Sequence, residues 1–437
     1  MEIKKNFTIC MILTMKSILK QLILDFHNRP LKEVKERDLS FSVDTKKIIV
    51  IIGPRRAWKS SYLFSIMNKL VASWKSINDL VYINFEDERL NLTKDDLHYI
   101  IDAYRELYPT KDVTKVYFFF DEIQNVPWWD LFIRRIHEEW HNHIFITWSN
   151  SKLLSKEIAT SLRWRSIAYQ LLTLSFKEYL SFKNNDSISF SSIGKALLLN
   201  YQAEYLNLWW FPELLEIPDD QKIMTLQEYF NTMLYRDIIE RYNIKDSTLF
   251  KQFVKILFQS VTKEYSINKI SNTLKSQGFS FDKNLIYSFV DYLEDIYFWM
   301  SISKFESSFK KQSLKKRYLF DNGFFEALSF NNYSDIWKKL ENSAFIELYR
   351  RYWKHIFFLS NWSETDFVIE NKEIYQVCHT LTEENRKREF QWCIDAMKKF
   401  WTKRSFLITN EQEAEYEVEG WIISVVPFYK WSLWKIE

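Results

Sequence analysis

Lys47-Ile48-Ile49-Val50-Ile51-Ile52-Gly53-Pro54-Arg55-Arg56-Ala57-Trp58-Lys59-Ser60 is the stretch on which the reading of this chain turns. An unbroken run of β-branched residues predicts a buried strand, and the polar loop after it leads directly into a helical pattern from about Ser60 to Ser73. In that strand-loop-helix setting the loop matches the phosphate-binding pattern GxxxxGK[ST], with one fault: Trp58 stands at the second glycine. Main-chain N–H groups at the loop and helix start hold phosphate oxygens, the lysine ammonium reaches the β and γ oxygens, and the serine hydroxyl ligates Mg²⁺. Gly53, Pro54, Arg55, Arg56, Ala57, Trp58, Lys59, Ser60 and Ser61 are therefore the candidate nucleotide-binding residues. An indole at position 58 would keep backbone and phosphate apart.

Working outward, short apolar β runs recur at Leu80–Phe85, Val116–Phe120 and His143–Thr147, separated by helical stretches such as Leu131–Trp140. Buried strands alternating with helices predict a parallel α/β sheet, here over residues 31–215, with residues 1–30 as an N-terminal helix. The run Val116-Tyr117-Phe118-Phe119-Phe120-Asp121-Glu122 ends in two acids, as a Walker-B strand does. Asp121 is the expected Mg²⁺ partner beside Ser60, and Glu122 the residue that orients the attacking water. Ser149 or Asn150, after the strand that ends at Thr147, is placed to sense a γ-phosphate; an ordinary turn reads equally well. The expected ligands are ATP and Mg²⁺.

Farther on, residues from about 225 to 305 read as helical. Ile267–Lys275, Gly278 and Asp282–Leu293 have helix-turn-helix spacing. The last hundred residues open on a helix around Leu340–Tyr352 and continue with β runs at Ile356–Leu359, Phe367–Ile369, Ile374–Val377, Ser405–Ile408 and Ile422–Val426. The expected domains after the first are therefore 216–325, helical, and 326–437, α/β.

With 60 Lys and Arg against 57 Asp and Glu, the net charge of +3 exerts no whole-molecule pull toward nucleic acid. DNA contact would have to come from a local patch, and residues 263–294 and 310–317 are the candidates; a solvated loop or a structural linker explains the same residues. A protein partner is the other expectation. No stretch reaches the length of a membrane span. Cys10, Cys378 and Cys393 have no metal-ligand spacing, so a reducing cytoplasmic setting is expected.

The chain has 5 Gly and 18 Trp in 437 residues, where average glycine usage of about 7% predicts roughly 31. Left-handed turns and helix ends need a residue without Cβ, and tryptophan is a poor substitute.

The motifs together resemble the bacterial and archaeal AAA-type ATPases that carry a C-terminal domain of unknown function 4143. The resemblance covers nearly the whole chain. It rests on Gly53–Ser60, Tyr82-Ile83-Asn84-Phe85-Glu86-Asp87, Asp121-Glu122-Ile123-Gln124-Asn125-Val126-Pro127, Ile158–Ser166, Leu174-Ser175-Phe176-Lys177-Glu178-Tyr179, Tyr235-Arg236-Asp237-Ile238-Ile239-Glu240-Arg241, Asp321-Asn322-Gly323 and Leu340-Glu341-Asn342. The resemblance implies an ATP-binding AAA-like α/β domain, a winged-helix domain and a restriction-nuclease-like C-terminal domain. The nucleotide state would switch the appended module. The alternatives are a DNA-processing ATPase and a non-catalytic interaction protein with a degenerate loop.

Set against the family, the tryptophans fall where glycine is usual: Trp58, Trp128, Trp140, Trp148, Trp164, Trp209, Trp210, Trp337, Trp353, Trp362 and Trp401. Trp129 and Trp431 fall at family tryptophans. One cause would account for this: a source organism that reads UGA as glycine, with the sequence translated as if UGA meant tryptophan. Arg163 and Arg165 flank Trp164, and Arg165 is the expected finger toward a γ-phosphate, in cis or in trans, against a reading as surface ion pairs. In the nuclease-like pattern Glu341 and Asp366 are present. The third position, Gln376-Val377-Cys378, lacks both the ligand carboxylate and the lysine, so cleavage by this domain is not expected.

Overall fold

The computed structural model describes residues 2–140, 143–149, 160–185, 188–207, 210–305, 315–328, 336–353, 355–360, 364–370 and 373–434, with side chains from Met15 onward. Two compact units divide the chain, Met1–Leu171 and Leu172–Glu437. Among the described residues no helix is long and apolar enough to cross a membrane.

The first unit opens with α1 (Glu2–His27) and builds a five-stranded sheet from β1 (Ile48–Ile52), β2 (Leu80–Asn84), β3 (Tyr117–Asp121), β4 (His143–Trp148) and β5 (Ser166–Gln170). Helices α2 (Lys59–Ala72), α3 (Tyr99–Leu107) and α4 (Trp129–Trp140) connect the strands. The order is β2-β3-β4-β1-β5, with every neighbouring pair parallel. β1 and β3 are buried along their whole length, so their residues are apolar without alternation. Four of the strands lie where the apolar runs predicted them. β5 had no reading as a strand. Its half-buried residues at the sheet edge carry no apolar run to announce it.

The order also sets the position of the loop. β1 lies between β4 and β5, and the chain leaves its C-terminal end into residues 53–58. Gly53 passes so close to β5 that a Cβ there would stand 2.0 Å from the Leu171 carbonyl oxygen.

The second unit carries a nine-stranded mixed sheet in the order β13-β14-β12-β11-β10-β9-β7-β8-β6. Its strands are β6 (Glu264–Tyr265), β7 (Trp299–Lys304), β8 (Lys315–Leu319), β9 (Ile356–Ser360), β10 (Glu364–Ile369), β11 (Ile374–Val377), β12 (Arg404–Thr409), β13 (Ala414–Val418) and β14 (Trp421–Pro427). The helices are α5 (Phe176–Phe182), α6 (Ser192–Asn207), α7 (Asp219–Leu234), α8 (Ser247–Phe258), α9 (Ile267–Ser276), α10 (Lys283–Asp295), α11 (Gly323–Ala327), α12 (Ile336–Tyr352), α13 (Glu383–Phe400) and α14 (Phe428–Leu433). All five predicted C-terminal β runs form strands. Trp299–Lys304, taken into the helical region by its neighbours, is instead a strand whose buried and half-buried residues alternate at period two. β7 pairs with β9 in parallel, so one sheet runs from residue 264 to residue 427.

The motif Asp321-Asn322-Gly323 works inside this unit as a knot. Asp321 accepts N–H bonds from Trp210 and Gly323, both 2.7 Å. The Asn322 amide donates to the carbonyls of Leu206 and Lys339 and to the Ser343 hydroxyl, each 3.0 Å. Asn342 donates to the Leu319 carbonyl and to Asn322 Oδ1. These buried bonds together fix one arrangement of loop and helix, with Asn342 Oδ1 left without a partner among the described residues.

Several tryptophans occupy the left-handed region. Trp58, Trp128, Trp164, Trp353 and Trp401 have φ between 52° and 64°, and Trp74, outside the family comparison, has 68°. Trp74 and Trp401 close α2 and α13 at the position where helices favour glycine, with the N–H of the next residue bonded back to Leu70 and Met397 respectively. Their rings are 97% and 88% exposed, and that of Trp164 is 80% exposed, so little packing offsets a backbone strain of about 1–2 kcal/mol each. Trp148 is buried, and its indole N–H has no hydrogen-bond partner among the described residues. Trp210 behaves differently: it is fully buried, donates to the Tyr205 carbonyl and stacks on the Tyr205 ring at 4.9 Å. Trp140 ends α4 and Trp337 lies in α12. Trp209 and Trp362 lie outside the described residues.

Candidate functional site

The C-terminal ends of β1, β3 and β4 bring the predicted residues together. Lys59 begins α2 and is buried; its ammonium donates to the Pro54 carbonyl at 2.9 Å and lies 3.4 Å from Glu122 Oε1. Ser60 and Ser61 follow on the first turn of α2, half-buried. Arg55 and Arg56 are exposed at the loop tip, while Gly53, Pro54 and Ala57 are buried. Arg56 and Trp58 both take left-handed backbone conformations, so the loop turns sharply before the helix starts.

Asp121 ends β3, almost wholly buried. Tyr82 donates to its Oδ2 at 2.9 Å, and the Thr147 hydroxyl donates to Oδ1. Burial first, and then the neighbouring Asp121 carboxylate, push the Tyr82 phenol far above its ordinary range, so it remains a donor. Glu122 follows at φ 52°, and its N–H donates to Thr147 Oγ1 at 2.9 Å. Its carboxylate accepts from Ser149 and Gln124. Burial raises the carboxyl, but the Lys59 ammonium and these two donors more than offset it, leaving Glu122 below the usual carboxylate range. Ser149 is thus in the site. Asn150 lies outside the described residues.

The structure does not bring Arg165 to the loop. Its carbonyl accepts from the Ile48 N–H at the opposite end of β1, on the order of 13 Å of strand away, and its guanidinium pairs with Glu138.

Three contributors had no expected role at the site. Arg37 is buried and donates to the Ala57 carbonyl at 2.7 Å, bracing the loop. Tyr82 and Thr147 hold Asp121. Thr147 was visible as a lone polar residue in an apolar strand, and Tyr82 opens one of the quoted motifs; Arg37 left no local signal.

Two buried acids against one buried ammonium, at the mouth of a loop that leads into a helix N-terminus, suit a phosphate chain with a divalent cation. The Trp58 side chain alone does not suit it. The fold and these residues define an AAA-type nucleotide-binding ATPase domain, and a family profile described as an AAA domain matches residues 45–180. A second profile, domain of unknown function 8612, matches residues 201–335.

The chain belongs to the same family as an uncharacterised protein of Methanocaldococcus jannaschii, 38% identical over 96% of each chain. An uncharacterised protein of Haemophilus influenzae is 29% identical over 89% of this chain and 95% of its own. Among solved structures, the Aeropyrum pernix ORC1 protein in complex with DNA is 11% identical, with 65% of this chain and 86% of that one covered at a TM-score of 0.32. Nothing about function follows from a likeness that low.

The candidate DNA surfaces divide. Lys263, Lys269, Lys275 and Lys283 are exposed. Of the basic run 310–317, residues 310–314 lie outside the described residues. Lys316 and Arg317 are buried, Arg317 with its guanidinium 3.5 Å above the Tyr265 ring, so neither belongs to a solvent-facing basic patch. β8 is an inner strand buried on both faces, so the two consecutive side chains, one on each face, are both covered.

Proposed function

We propose that this protein hydrolyses ATP at the loop Gly53–Ser60, with glycine in the native chain at position 58. The observation that carries the reading is Lys59 and Glu122 side by side at 3.4 Å, with Asp121 fixed beside them by Tyr82 and Thr147. Lys59 exchanges the Pro54 carbonyl for β and γ oxygens of the triphosphate. The N–H groups at the start of α2 bind the same oxygens. Ser60 and Asp121 hold Mg²⁺, which neutralises charge on the phosphates when bound. Glu122, released from Lys59, orients the water and accepts its proton, and Ser149 turns from Glu122 to the γ-phosphate. Arg165 can serve only a neighbouring copy, since it stands at the far end of its own sheet.

In the same reading, UGA decoding as glycine accounts for the left-handed tryptophans, and the six φ values above support it. TGG codons at Trp58, Trp74, Trp128, Trp164, Trp353 and Trp401 would exclude it. The order α8-β6-α9-α10-β7-β8, with β6 paired to β8, supports a winged helix. The sheet from β9 to β14 with α12 and α13 supports the nuclease-like module and the kinship with domain of unknown function 4143. The nucleotide state switches this second unit.

The test uses Trp58→Gly protein as the parent. Glu122→Gln should retain ATP affinity, read with a fluorescent analogue, and lose phosphate release; Lys59→Ala should lose both. Turnover unchanged by Glu122→Gln would remove that residue from the mechanism.

A further inference from the structure

Between α1 and β1 the chain crosses residues 28–47 without forming a helix or strand, yet part of this segment is tied along α2. Asn68 donates to the Lys32 carbonyl at 2.9 Å, Lys69 pairs with Glu36 at 3.0 Å, and the Tyr62 hydroxyl donates to the Leu39 carbonyl at 2.6 Å. From Lys32 to Leu39 the partner on the helix passes from Asn68 back to Tyr62, so this strap runs against the direction of α2, toward its start. Leu31, Val34, Leu39 and Phe41 pack on the core that α2 shares with the sheet.

Arg37 is the strap's buried cation, 6% exposed, and its Nη1 donates to the Ala57 carbonyl at 2.7 Å. Three side chains of α2 already hold the strap, so a guanidinium that is costly to bury is not needed for that task. What its bond fixes is a peptide plane. The 57–58 peptide is trans, and across a trans peptide the carbonyl of one residue and the N–H of the next point in opposite directions. With the Ala57 carbonyl turned to Arg37, the N–H of residue 58 is turned away from the strap. Arg56 and Trp58, on either side of Ala57, are both left-handed, a backbone setting in which N–H groups of a loop converge on an anion.

We infer that Arg37 is a positioning residue for nucleotide binding: it holds the 57–58 peptide so that the N–H of residue 58 faces the α and β phosphates. The inference rests on the ATPase reading given above. Arg37 itself touches no phosphate. Without the brace this peptide can rotate, and turning its N–H back at each binding event costs affinity for any nucleotide that carries those phosphates. The hydrolytic step is left alone, because Asp121 and Glu122 are held by Tyr82, Thr147 and Ser149 instead.

Calorimetric titration of the full-length Trp58→Gly parent with ADP, together with steady-state ATP hydrolysis, tests this. Arg37→Met should weaken ADP binding about tenfold, raise KM for ATP in step and leave kcat within about twofold, the pattern of one hydrogen bond lost from binding rather than from the chemical step. Arg37→Lys, whose ammonium can reach the same carbonyl, should recover most of the loss. Asn68→Ala loosens the far end of the strap and should leave ADP binding unchanged, which separates orientation of the peptide from loss of the strap. Circular dichroism checks folding, and Arg37→Gln replaces Arg37→Met should that variant fail, with the same loss expected. A parent that binds no ADP overturns the ATPase reading and this inference with it. A parent that binds ADP while Arg37→Met binds it equally well, a fall in kcat at constant KM, or no recovery in Arg37→Lys overturns the role of Arg37 alone.

Discussion

Lys59 in the first unit and Lys316 in the second are both buried ammonium groups held against carboxylates, but they are held differently. Lys59 begins a helix, with one acid and one carbonyl as partners, and stands next to a loop. Lys316 sits within a strand among Glu364, Asp366 and Glu341. Burial alone would lower the Lys316 ammonium's pKa; Asp366, Glu341 and Glu364 overcome this and raise it far above the usual range. The first lysine can exchange partners at little cost. The second is part of the balance of charge that lets its unit fold.

The largest effect should fall on chemistry in the first region. In the Trp58→Gly parent, Glu122→Gln should lower phosphate release by about 10²- to 10⁴-fold, the usual range for a removed general base, while urea denaturation moves little. Next comes the contrast itself. Lys316→Met should destabilise the second unit by about 3–5 kcal/mol, because buried acids lose their counter-charge, whereas Lys59→Met should cost the first unit about 1 kcal/mol. Equal losses by chemical denaturation would break the comparison.

Tryptophans sharpen it. Trp58→Gly should raise stability by about 1–2 kcal/mol by relieving a left-handed backbone. Trp210→Gly should lower it by about 3–5 kcal/mol, since a packed and hydrogen-bonded ring is removed from the core. The smallest effects are slopes with pH. Burial pushes the Asp321 carboxyl up to about 7, against the N–H donors of Gly323 and Trp210. The folded second unit then holds a proton at Asp321 that the unfolded chain releases, so the contribution of Asp321 to stability is greatest below about pH 4 and declines toward pH 7. Asp321→Asn should flatten that decline. Glu122, lowered, gives the opposite sign: its contribution is present above its unfolded value and lost as pH falls through the folded one. Urea midpoints over a pH series check both.

The loop at 53–60 was legible because the chemistry is contiguous: strand, turn, lysine and helix follow one another within fourteen residues. Asp121, Glu122 and Ser149 were legible for the same reason, each ending an apolar run. Arg37 was not, because its role depends on a carbonyl twenty residues away. Lys316 and Arg317 misled because a run of like charges reads as a solvent-facing patch, whereas β8 is an inner strand covered on both faces. β13 was missed because its charged alternation, Ala414-Glu415-Tyr416-Glu417-Val418, is that of an edge strand with little buried surface.

The parallel pairing of β7 with β9 also governs how this protein can be cut. A gene divided between codons 325 and 326, where composition invites a boundary, would deliver a fragment whose Ile356-Phe357-Phe358-Leu359 main chain has lost its neighbour at Ser303 and Lys304. A bare, apolar, five-residue edge recruits other copies of itself. Fragments made at that point should precipitate on expression, and those begun before β6 should stay in solution.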